Sequence, residues 1–135
     1  MPDIRRVTDT FAVAPQLHPQ DLEAALERGY VLVINNRPDG EAPDQPTSLD
    51  MAAEAKRLGM RYLYLPIRGG PSPEQAVAQY EAAQGAPGSA LAFCRSGTRS
   101  ITAWALGARQ VGGVSTEQLR AAAEAAGYDL SAVLG

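Results

Sequence analysis

The sequence predicts an α/β domain: a single, mostly parallel central sheet flanked by helices. Three observations carry this expectation. Short apolar runs fit for buried strands alternate with segments of helical periodicity through the centre of the chain. The length of 135 residues fits one domain, residues 1–135, and no repeat, heptad pattern or long linker divides it. One apolar run, Ala90 to Phe93, leads through a small glycine-containing loop directly into a helical segment.

The elements follow in order. Residues 4–7 and 11–14 read as short strands at the entrance to the domain. His18-Pro19-Gln20-Asp21 starts a helix with proline near its first turn, Leu22, Ala25 and Leu26 line one face, and Gly29 stops it. Tyr30 to Ile34 is a β-branched apolar run and reads as a buried strand. Residues 36–46, rich in Asn, Asp, Pro and Gly, predict a loop. Thr47 or Ser48 caps the next helix, with Met51, Ala55 and Leu58 on one face and Gly59 at its end.

Arg61 to Ile67 is the next strand, followed by the turn Arg68-Gly69-Gly70-Pro71. Ser72 and Gln75 have capping-box spacing, Pro73 sits at the first helical position, and Ala76, Val77 and Tyr80 are expected on the core face. Ile101, Trp104, Ala105 and Ala108 have i, i+3, i+4, i+7 spacing, which predicts a helix from about Arg99 to Arg109. Ser115 and Gln118 form a second box before the stripe Leu119, Ala122, Ala123 and Ala126. Leu130, Val133 and Leu134 are expected to pack the tail down.

Composition narrows the function. A net charge of −3 gives no general affinity for nucleic acid or anionic membrane, so any attraction for anions is local. A single cysteine makes no internal disulfide, which fits a reducing compartment. No apolar run is long enough for a membrane span, and Arg5, Arg6 and Asp9 interrupt the start, so a cytoplasmic location is expected. His18, the only histidine, has no metal-ligand spacing around it; no metal and no cofactor are expected.

In open parallel sheets, ligands bind beyond the carboxyl ends of the strands. Three segments qualify: Asn35 to Gly40, Arg68 to Pro71 and Cys94 to Arg99. The last carries the strongest signal. Cys94 ends a strand and the chain then enters a helix, which places the thiol among backbone N–H groups at a helix N-terminus. Gly97 permits backbone that a side chain resists, and Arg99 can hold an oxyanion with paired hydrogen bonds. Ser100 can offer a hydroxyl to the thiolate, while Arg95, Ser96, Gly97 and Thr98 line the anion cradle. A buried cysteine beside a solvated arginine is the plain alternative, and the order of strand, glycine, arginine and helix weighs against it. Asn36, Arg37 and Asp39 form a second constellation: Arg37 for the distal part of a substrate, Asp39 to orient Arg37 or Arg99 or to act as a replacement acid. A plain polar turn explains these three equally well, and Arg95 has either a solvated or a substrate role.

Cys94-Arg95-Ser96-Gly97-Thr98-Arg99-Ser100 resembles the active loop of single-domain rhodaneses. Together with Asn35 to Gly40, Leu65-Pro66-Ile67 and Trp104-Ala105-Leu106, it resembles a narrower family. This is the phosphatase-like domain of beta-lactamase-hydrolase-like proteins, also described as sulfur transferases. The resemblance runs from about Ile4 to Leu130 and implies a fold like that of dual-specificity phosphatases. Some members of that family are fused to a metallo-beta-lactamase-like persulfide dioxygenase, which makes such an oxygenase an expected partner.

Two departures from the phosphatase pattern stand out. Tyrosine phosphatases place five residues between cysteine and arginine, usually after a histidine; here four residues separate Cys94 from Arg99, and Phe93 precedes the cysteine. Related phosphatases also carry an acid aspartate just past the strand matching Leu63 to Ile67, where this chain reads Arg68-Gly69-Gly70-Pro71. The expected function is therefore sulfur transfer from a small anionic sulfur donor, through a Cys94 persulfide, to a thiol acceptor. The alternatives are a phosphatase with a phosphocysteine intermediate and a non-catalytic persulfide sensor or oxygenase partner.

Overall fold

Five strands form one sheet in the computed structural model, which describes residues 2–135. They are β1 (Arg5–Arg6), β2 (Phe11–Ala14), β3 (Tyr30–Asn35), β4 (Arg61–Tyr64) and β5 (Ser89–Phe93), in the spatial order β1-β2-β5-β3-β4. β5 pairs in parallel with both β2 and β3, and β4 pairs in parallel with β3. Only β1 is antiparallel. The mostly parallel α/β sheet expected from the alternation of elements is the one observed.

The helices are α1 (Leu22–Glu27), α2 (Ser48–Arg57), α3 (Pro73–Gln84), α4 (Thr98–Val111), α5 (Thr116–Ala125) and α6 (Ser131–Leu134), with a 3₁₀ turn at Pro19–Asp21 ahead of α1. Thr47, rather than Ser48, caps α2 by accepting from Asp50 N at 3.1 Å. Ser72 and Gln75 close a reciprocal box on α3 at 3.0 and 3.1 Å. Ser115 and Gln118 do the same for α5, each bond being 3.2 Å. Each such cap contributes about 1 kcal/mol.

Strand alternation splits the core into two layers. Val13, Leu32, Ile34, Ala90 and Ala92 face the side covered by α3, α4 and α5, where Phe11 stacks on Trp104 with ring centroids 5.9 Å apart. Ala12, Ala14, Val33, Leu91 and Phe93 face the opposite side, with Leu22, Met51 and Ala55 of α1 and α2. All these strand residues are buried because β2, β5 and β3 carry helices on both faces.

Several expectations shift locally. The first strand shrinks to Arg5–Arg6 because Val7 and Thr8 both donate to the Phe11 carbonyl, at 2.9 and 3.0 Å, and turn the chain. The fourth ends at Tyr64 because Pro66 lacks an N–H. Even so, Leu65 N and Ile67 N continue alongside β3 by donating to the Asn35 and Asn36 carbonyls, each at 2.9 Å. The buried face of α3 is Ala76, Gln79 and Ala83, whereas Val77 and Tyr80 are half-buried. Leu130 and Leu134 anchor the tail, but Val133 points outward. Gly107 of α4 passes so close to α3 that a Cβ there would lie 2.4 Å from the Ala76 carbonyl oxygen.

Candidate active site

The carboxyl ends of β5, β3 and β4 converge, and each sends one segment to the same place. Phe93 is the last residue of the central β5, so Cys94 emerges at the middle of the sheet edge and is fully buried. The loop folds back until Gly97 N–H donates to Cys94 Sγ at 3.1 Å. That fold-back requires a left-handed residue, and Gly97 has φ +93°. α4 starts at Thr98, one residue earlier than the periodicity indicates, and its N-terminus abuts the sulfur.

Other contacts fix the loop from outside. Ser96 Oγ donates to Thr98 Oγ1 at 2.9 Å and accepts from Thr98 N at 3.3 Å. Gln16 N donates to the Arg95 carbonyl at 3.2 Å. Tyr128 OH donates to the Ser96 carbonyl at 2.8 Å and presses on Gly97, where a Cβ would lie 2.1 Å from the phenolic oxygen. No motif marks Tyr128; it arrives from the far end of the chain through the packing of α5.

Arg99 points across the loop toward β4. Its Nη1 donates to the Ile67 carbonyl at 2.9 Å, and Nη1 and Nη2 grip Glu41 as a fork at 2.8 and 2.9 Å. Its affinity for the proton is raised chiefly by the Glu41 hydrogen bond, and the Cys94 sulfur adds to this. Glu41 also accepts from Arg37 Nε at 3.0 Å. Arg99 and Arg37 together hold the Glu41 carboxyl down to about 2, against the opposing effect of desolvation. Sequence reasoning missed Glu41: one acid in a loop full of polar residues carries no local mark of its two partners.

The second constellation is dispersed. Arg37 is buried, with Nη1 donating to Gln16 Oε1 at 2.9 Å and its backbone N donating to Asn35 Oδ1 at 2.9 Å. Asn36 is wholly buried and turned inward, its Nδ2 donating to the Leu65 carbonyl at 3.0 Å and to Gln79 Oε1 at 2.7 Å. Asp39 makes no ion pair with Arg37 or Arg99; Glu41 makes both. The Asp39 carboxylate instead accepts from Ser48 N at 2.8 Å, at the start of α2, and its N–H donates to Tyr64 OH at 2.9 Å. The Asp39 side chain is thus spent on holding the loop to the scaffold. Ser100 Oγ is buried with no hydrogen-bond partner among the described residues, so the expected hydroxyl-to-sulfur bond is not formed in this structure.

Arg37, Glu41 and Arg99 border an open cavity of about 680 Å³, completed by Ala42, Gly69 and Arg95, with the buried Cys94 outside its lining. Three guanidinium groups face one carboxylate, so the cavity is locally positive on a chain of charge −3. Arg95 is exposed and makes no ion pair among the described residues. No cluster of three or more His, Cys, Asp or Glu suited to a metal occurs among the described residues. No helix among them is long and apolar enough to cross a membrane.

Residues 3–113 match the family model of the phosphatase-like domain of beta-lactamase hydrolase-like proteins. The chain belongs to this family. A beta-lactamase hydrolase-like protein of Xylella fastidiosa (strain Temecula1) is 32% identical over 125 residues, covering 92% of this chain and 29% of the relative. One from Agrobacterium fabrum is 29% identical over 128 residues, covering 94% and 30%. The chain thus spans about three tenths of the length of these curated relatives.

Among solved structures, a Neisseria meningitidis protein described as a candidate phosphatase superposes with a TM-score of 0.85 at 25% identity, over 98% of this chain and 94% of that one. Human DUSP28 gives 0.62 at 20% identity, covering 93% and 82%, and shows the fold alone. The fold is that of dual-specificity-type phosphatases, as the resemblance implies. These descriptions agree with the phosphatase alternative more closely than with sulfur transfer.

Proposed function

We propose that this family member is a cysteine-dependent sulfurtransferase built on a phosphatase-like fold. The observation that carries the proposal is the state of Glu41. Among the described residues it is the only carboxylate lining the cavity, and two arginines hold it ionised down to about 2. At neutral pH it has no proton to give to a leaving alkoxide. Hydrolysis of an alkyl phosphate needs that proton; expulsion of sulfite or a thiolate does not.

The chemistry follows from the side chains in place. The Cys94 thiolate attacks the outer sulfur of thiosulfate or of a low-molecular-weight persulfide. The new S–S bond forms as the donor's S–S bond breaks, and sulfite or the donor thiolate leaves with the electron pair. Gly97 N–H and the α4 N-terminus stabilise the terminal persulfide anion. Arg99, aimed by Glu41, and Arg95 hold the anionic donor at the mouth of the cavity. A thiolate acceptor then takes the outer sulfur and restores Cys94. The test is mass spectrometry after incubation with thiosulfate or glutathione persulfide: a gain of one sulfur on Cys94, lost on adding thiol, supports the reading. A mass that never changes overturns it.

A second reading is favoured by the comparisons: attack on a phosphate ester with a phosphocysteine intermediate. It predicts turnover of aryl phosphates, whose leaving groups need no acid, and loss of that turnover in Cys94→Ser. Most of the curated relatives' length lies outside the match, which gives room for a second activity acting on the same sulfur. A metallo-beta-lactamase-like persulfide dioxygenase is the partner proposed there, tested by co-purification.

A further inference from the structure

Gln79 occupies a position where burial alone favours an aliphatic residue. It lies on the inner face of α3 between Ala76 and Ala83 and is wholly buried. A buried amide costs free energy unless its polar atoms are paired. Both ends of this one are. Gln79 Oε1 accepts from Asn36 Nδ2 at 2.7 Å, and Gln79 Nε2 donates to the Ser100 carbonyl at 2.9 Å.

The significance lies in where the two neighbours lead. Asn36 N donates to the Phe93 carbonyl at 2.8 Å, and Phe93 immediately precedes Cys94. Ser100 immediately follows Arg99. One continuous path of three hydrogen bonds therefore joins the residue before the loop to the residue after it: Phe93, Asn36, Gln79, Ser100. Asn36 is itself pinned, because Nδ2 also donates to the Leu65 carbonyl at 3.0 Å and its own carbonyl accepts from Ile67 N at 2.9 Å. The close approach of α3 to α4 at Gly107 is what brings Gln79 within reach of Ser100.

We infer that Asn36 and Gln79 form an internal brace across the two ends of the Cys94 loop, with Gln79 as a positioning residue for the reactive sulfur. The brace fixes the span between the end of β5 and the first turn of α4, and so fixes where Gly97 N–H and the Arg99 guanidinium stand relative to Sγ. Gln79 touches no substrate; it acts through Ser100 and Asn36. The inference rests on Cys94 working as a thiolate.

The test reads the thiol rather than turnover. Alkylation of Cys94 by iodoacetamide, followed by mass across pH, is compared in the native protein and in Gln79→Met, which keeps length and packing but removes both bonds. We expect alkylation at pH 7 about tenfold slower in Gln79→Met, with the whole profile displaced to alkaline pH. Ala83→Gly, a buried α3 change that touches no polar group, should lower thermal stability and leave the profile native. A folded Gln79→Met with the native profile overturns the brace.

A measurement that needs no Gln79 variant covers failure of Gln79→Met to fold. In native protein, NMR signals of the Gln79 side-chain amide should exchange slowly with solvent and move as Cys94 ionises, with no such movement in Cys94→Ser. Fast exchange, or signals indifferent to Cys94, overturns the inference. If native Cys94 never gains a sulfur from thiosulfate or glutathione persulfide, the proposed function fails, and the amide signals alone then decide on the brace.

Discussion

Two neighbouring segments leave the sheet at the site, and they are built differently. The Cys94 loop is short, closed on itself by Gly97, and tied to the scaffold through backbone groups. The segment from Asn36 to Pro46 is longer and polar, and contributes through side chains: Arg37 from the interior, Glu41 from the rim. In the proposed chemistry the first segment supplies the nucleophile and its N–H donors, and the second sets the charge around them. A short loop turned by one left-handed glycine has one way to be made. A long polar loop has many, and the ion pairs it forms select among them.

The sharpest way to break the comparison is to remove the one atom the second segment cannot replace. Cys94→Ser should lower turnover of thiosulfate or aryl phosphate by roughly 10⁴-fold or more, measured as initial rate, with the fold intact by circular dichroism. Gly97→Ala comes next. A Cβ there would meet Tyr128 OH at 2.1 Å on backbone with φ +93°, so thermal unfolding should report a loss of about 2–3 kcal/mol. Adding Tyr128→Phe should recover the steric part of that loss and leave the backbone part.

Gly107→Ala tests the seam behind the loop. Its Cβ would crowd the Ala76 carbonyl at 2.4 Å, and α3 should be pushed from α4 at a cost of about 1–3 kcal/mol in chemical denaturation. Glu41→Gln probes the second segment and should have the smallest stability effect. The folded carboxyl is held at about 2 against an ordinary 4.5, so its ion pairs stabilise the fold above pH 4.5. That contribution fades as pH falls from 4.5 toward 2. Discounted for solvent screening it is about 1 kcal/mol. Denaturation midpoints of native protein and Glu41→Gln should differ at pH 7 and converge near pH 2.

The difference between the segments also explains what was legible beforehand. Strand, cysteine, glycine, arginine and helix lie consecutively, so local rules place Cys94 beside Gly97 and at the start of α4. The sheet and its parallel order were legible from the same alternation of apolar runs and helical periods. Glu41 was not, because its partners are 4 and 58 residues away and meet it only once β3 and β5 lie side by side. Asp39 looked better placed, yet its carboxylate accepts from the N–H of Ser48 at the start of α2. Gln79 was hidden by helical periodicity, which ranks a glutamine as a surface residue and says nothing of the carbonyl waiting beneath it.

One consequence reaches beyond a single molecule. The lone thiol has no exposed surface. A disulfide between two copies needs Cα atoms within about 4.4–6.8 Å of each other, and a sulfur sunk beneath its own loop does not permit that approach. Oxidation of the native chain should therefore stop at adducts of small reagents, and a covalent dimer on a non-reducing gel would signal molecules that had already opened.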